Sequence, residues 1–190
     1  MPRKLTGTLA DAMLGGIPIP ISQLVLLTPT QIFMYGYASL EGTREATGRN
    51  DGLIVEEIQK TVGLSKGDSW CMAAAQAAIR LAENLSKKIS PVYASGHCLT
   101  VMRKSIGAQI PLSKKPAEGD IIIFQHGDTE SGHCEGIIKL APPKIAFTMG
   151  GNTSGNPGVD RDGNGVFFKM RDLGQTTGSM HIVGYVRPFP

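Results

Sequence analysis

The chain of 190 residues lacks most features that would place it in a specialised class. It has no stretch of the roughly 18 apolar residues that a membrane-spanning helix requires. Dense basic blocks are absent too. Lysines and arginines occur at most in short pairs such as Lys87-Lys88 and Lys114-Lys115, and the net charge is only +3. A nucleic-acid partner is therefore not expected, although mild basicity suits an anionic surface. Three cysteines, Cys71, Cys98 and Cys134, are too few and too odd a number for a disulfide framework. Each one starts as a small buried hydrophobe. Internal repeats and low-complexity tracts are also missing. A standard signal peptide is not expected either, because Asp11, Pro18 and Pro20 interrupt the apolar run near the N-terminus.

What remains, 41% hydrophobic and 18% charged residues, is an ordinary globular composition, enough for one well-buried domain. Residues 1–27, rich in Gly and Pro, read as an irregular arm, and 28–190 as a single domain. Thr28 with Pro29 forms a helix start, and Gln31–Leu40 continues it as far as Gly42. A polar loop spans 42–52. Apolar residues at helical spacing follow from Leu53 to Val62. After a turn with Asp68 and Ser69 as candidate caps, the segment from Cys71 to Leu85 is dense in Ala, Leu and Met and reads as a buried helix. A weaker helix covers Ser95–Ile106. From Ile121 the pattern changes to short strands: Ile121–Gln125, His133–Leu140, Lys144–Met149, Val166–Met170 and His181–Val186. Helices first and strands afterwards make an α+β domain with an antiparallel sheet.

Cys71 stands out because it opens a helix. Unpaired N–H groups and the helix dipole there favour a thiolate. A thiolate nucleophile needs a base, and the base needs a partner. Of the four histidines, His133 opens a strand after a turn. Asn152, within Gly150-Gly151-Asn152-Thr153, offers a side-chain oxygen to an imidazole, or is simply a turn residue.

Five motifs occur in order. They are Thr43 to Gly52, Gly67-Asp68-Ser69-Trp70-Cys71-Met72-Ala73-Ala74, Pro116-Ala117-Glu118-Gly119-Asp120-Ile121, Gly132-His133, and Gly151-Asn152-Thr153-Ser154. Together they resemble the papain-like peptidoglycan hydrolases of the CHAP and NlpC type, over about residues 38 to 188. The resemblance implies a papain-like fold with N-terminal helices packed on a central antiparallel sheet. It implies Cys71 as nucleophile, His133 as general base and Asn152 as the polar residue beside the histidine. It implies cleavage of a peptide or amide bond in peptidoglycan through a thioester, with no cofactor and no metal. Without a standard signal peptide, synthesis in the cytoplasm and action on the wall after release or delivery are expected, with an inhibitor or immunity protein as a further candidate partner. Two departures bear on the third catalytic position. Relatives carry Glu where Gly150 stands, and after the histidine this chain has Cys134-Glu135-Gly136 in place of a small apolar run. Glu135, on the same strand face as His133, is the alternative to Asn152. A wall-binding or phage structural module with the same fold is the alternative function.

Two metal readings are set aside. His97-Cys98 and His133-Cys134 suggest zinc, but adjacent strand residues point to opposite faces. Asp160 to Gly165 imitates a calcium loop, yet Arg171 stands where the closing Glu would be, so a hairpin turn is the simpler reading. Trp70 is either a packing anchor or part of the cleft wall. Glu45 is left between a structural and a substrate-touching role.

Overall fold

The computed structural model describes residues 5–155, 163–174 and 179–190. The expected α+β class is found: among the described residues six helices precede a six-stranded sheet in which every neighbouring pair of strands is antiparallel. The helices are α1 (Gly7–Gly15), α2 (Ile21–Leu24), α3 (Pro29–Ala38), α4 (Leu53–Lys60), α5 (Cys71–Ser86) and α6 (Cys98–Lys104). The strands are β1 (Gln109–Ile110), β2 (Ile121–His126), β3 (Gly132–Ala141), β4 (Ile145–Thr153), β5 (Gly165–Asp172) and β6 (Met180–Val186). Their order across the sheet is β1-β6-β2-β3-β4-β5.

The segment read as an irregular arm contains α1 and α2. Thr6 caps α1 by accepting from the Leu9 N–H, and Leu9, Met13 and Leu24 are fully buried in the main core. Glycines at 7, 15 and 16 and prolines at 18 and 20 hid these helices, because each is short and bounded by breakers. α3 starts as expected. The Thr28 hydroxyl accepts from Gln31 N at 3.2 Å while the Gln31 side chain accepts from Thr28 N at 3.0 Å, a reciprocal capping box with Pro29 at the first position.

α5 is the hub, packed between α3, α4 and the strands β3 and β4. Its small side chains allow close approach on two sides. A Cβ at Gly36 of α3 would meet Leu81 Cδ2 at 2.9 Å, and one at Gly151 of β4 would meet Ala74 Cβ at 2.6 Å. The main core lies between this helical layer and one face of the sheet. The other face carries a smaller cluster around Ile122, Phe124, Ile137, Ala146, Met180 and Tyr185. Among the described residues no helix is long and apolar enough to cross a membrane. Residues 160–162, where the calcium-loop or hairpin reading begins, lie outside the described residues.

Candidate active site

Cys71 is the first residue of the 16-residue α5, whose N-cap is Trp70. Neither expected cap acts there. Asp68 Oδ2 instead accepts from the Ser65 N–H at 2.8 Å, and among the described residues no side chain caps α5. The N–H groups of its first turn are thus left for other acceptors. Trp70 is fully buried, so it is a packing anchor, and its indole N–H donates to Glu45 Oε1 at 3.0 Å. Glu45 Oε2 accepts from the Asn50 N–H at 2.9 Å, and Gln59 Nε2 donates to the carbonyls of Asn50 (3.0 Å) and Asp68 (2.7 Å). The polar loop 42–52 and α4 therefore clamp the residues just before the sulfur. Cys71 itself lines a cleft of about 330 Å³ with Leu64, Asp68, Ser69, His97 and Cys98.

β3 supplies the groups facing Cys71. A Cβ at Gly132 would meet Cys98 Cβ at 3.2 Å, and one at Gly136 would meet Tyr37 of α3 at 2.7 Å, so Gly132, Cys134 and Gly136 face the helices. By strand alternation His133 and Glu135 face the other side. His133 nevertheless stays in electrostatic contact with Cys71 while its Nε2 lies 3.4 Å from Glu135 Oε1. That distance marks an ion pair rather than a well-directed hydrogen bond. Glu135 is in turn held by three groups. Arg171 of β5 donates through Nε, 2.9 Å from Oε2, and through Nη2, and the Thr148 hydroxyl donates to Oε2 at 2.6 Å. His133 and Glu135 are both buried.

These contacts set the charges. Burial works to raise the Glu135 carboxyl, but Arg171 and His133 together hold it far below the usual carboxylate range. Burial works to lower His133, yet Cys71 and Glu135 outweigh it and push the imidazole up to about 9. Hydrogen bonds from Cys134 and Cys98, with help from His133 and against desolvation, bring the Cys71 thiol well below its ordinary value. Burial pushes Cys134 up, and its two thiol neighbours add to this. The arrangement favours a Cys71 thiolate beside a His133 imidazolium.

Asn152 is elsewhere occupied. It adopts φ 49°, and with its amide turned to donate it reaches Glu45 Oε1 and Asn50 Oδ1, each at 3.2 Å. No hydrogen bond joins it to His133 among the described residues. The structure thus brings Cys71, His133 and Glu135 together and places Asn152 in the loop clamp with Glu45. A Cβ at Gly150 would lie 3.1 Å from Glu135 Cγ and 3.4 Å from its Oε1. The Glu135 side chain therefore comes from β3 into the space beside Gly150 on β4.

Sequence reasoning missed Arg171 and Thr148, which lie on other strands and carry no local motif. It also weighed Cys98 and Cys134 as metal ligands only together with their adjacent histidines, whereas the three sulfurs lie within 4.8 Å of one another, Cys71 and Cys98 at 3.6 Å. No protein-family model matches the sequence, and no curated protein proves similar to it.

Proposed function

We propose that this chain is a thiol-dependent hydrolase of an amide or peptide bond in bacterial peptidoglycan. The observation that carries the reading is the buried His133 imidazole, ion-paired to Glu135, itself held by Arg171, and in electrostatic contact with Cys71. The choice of peptidoglycan rests on the five motifs in order, not on the cleft.

In this reading the Cys71 thiolate attacks the scissile carbonyl carbon. Uncapped N–H groups of the first turn of α5 stabilise the oxyanion. His133, already protonated, gives its proton to the leaving amine as the tetrahedral intermediate collapses to a thioester. The neutral imidazole then takes a proton from water, which attacks the thioester and frees Cys71. Glu135 keeps the imidazole oriented and stabilises its charged form without itself accepting the proton. Asn152 acts at one remove, through the Glu45–Trp70 clamp that places the helix start.

Digestion of purified sacculi tests this. Wild type should release soluble muropeptides, and Cys71→Ala should release none while still folding. Equal release by both proteins, or none by wild type, sinks the reading. Sacculus binding without release would favour the alternative of a wall-binding module.

A further inference from the structure

We propose that Cys71, Cys98 and Cys134 form a three-sulfur site for a soft d10 cation, of which Zn2+ is the natural example. The sulfurs come from the starts of two helices and the middle of one strand pair, so no local C-x-x-C spacing announces them. All three thiols are buried and free of disulfides, and their sulfurs lie within 4.8 Å of one another. A tetrahedral site with metal–sulfur bonds of ~2.3 Å needs sulfurs about 3.8 Å apart. Cys71 and Cys98, at 3.6 Å, already meet that spacing. The objection that neighbours on a strand cannot chelate together does not apply, because Cys134 alone points at the helices while His133 points away.

Two further features suit a cation. Cys71 and Cys98 both line the cleft of about 330 Å³, which gives an ion a way in. The ligand set is all thiolate, which selects thiophilic ions over Mg2+ or Ca2+. Binding needs only the sulfurs and so goes beyond the hydrolase reading. If that reading holds, the ion occupies the nucleophile and acts as a reversible inhibitor.

The test uses the whole reduced, metal-free chain titrated with Cd2+ without oxygen, followed by the ultraviolet cadmium–thiolate charge-transfer band. The expected result is saturation at one ion per chain, with Zn2+ displacing Cd2+. X-ray absorption of the zinc-loaded wild type should show three sulfurs at about 2.3 Å. Cys134→Ser, confirmed as folded by circular dichroism, should weaken binding by more than roughly tenfold, a loss seen even for outer-shell changes. No charge-transfer band, or a zinc shell with fewer than three sulfurs, overturns the proposal. The wild-type absorption experiment decides the matter even if the variant does not fold. Because activity is not read, failure here leaves the hydrolase proposal standing, and an inactive protein leaves this one standing.

Discussion

Glu135 is a carboxylate with no exposure to solvent, and it stays ionised because Arg171, Thr148 and His133 surround it. Removing one member of such a buried pair leaves the other uncompensated, which costs about 3–5 kcal/mol. Glu135→Ala should therefore lower the melting temperature strongly. Adding Arg171→Met should recover much of the loss, and a double-mutant cycle on the thermal or urea midpoint measures the coupling. An additive cycle would mean the pair is not coupled. The milder Glu135→Gln keeps the shape but removes the charge that favours the imidazolium. It should lower kcat by roughly 10²-fold or more.

The same residues determine the pH profile. The folded-state value of His133 is raised to about 9, above the ordinary ~6.5 of a free imidazole. The stabilisation this represents is fully present below the unfolded value and is lost as pH rises through about 9. In the proposed mechanism, the acid form that would protonate the leaving amine disappears over the same range. The rate of thioester formation should therefore fall on the alkaline side near pH 9, and Glu135→Gln should move that limb to lower pH. A limb unchanged in the variant would remove Glu135 from the catalytic group.

At the scale of elements, the N-terminal helices bear on stability. Met13 of α1 is fully buried in the main core, so Met13→Ala should cost about 2–5 kcal/mol, measured by chemical denaturation. A near-zero effect would mean that α1 is not part of the cooperative unit. The helix α3 was legible from its capping box, α4 from its apolar spacing and α5 from its long alanine-rich run. α1 and α2 were not, since glycine and proline obscure helices held in place by tertiary burial. β1 is too short to leave any pattern. In the candidate site, the placement of Cys71 at a helix start and of His133 at a strand start was legible from local sequence. Glu135 remained an alternative, because choosing between it and Asn152 requires knowing which strand lies beside which. The approach of three cysteines from α5, α6 and β3, and the role of Arg171, depend wholly on long-range register and left no local trace.

For the whole molecule, the two faces of the sheet hold different groups: the helical face gathers the sulfurs, and the other face holds the buried His133–Glu135 pair. The link between them depends on how deeply α5 sits, and glycines determine that depth. Gly151 lies where a methyl group would come within 2.6 Å of Ala74 and 3.4 Å of the Trp70 ring. Gly151→Val should leave the overall fold recognisable by circular dichroism, yet lower kcat more than it raises KM, because a sulfur displaced by about 1 Å is misaimed. Unchanged kcat in a folded variant would show that helix depth is not critical. The contact behaves like a mechanical stop: it makes the thiol's reach a property of backbone thickness, so an enlargement on β4 should shift the sulfur at the helix tip.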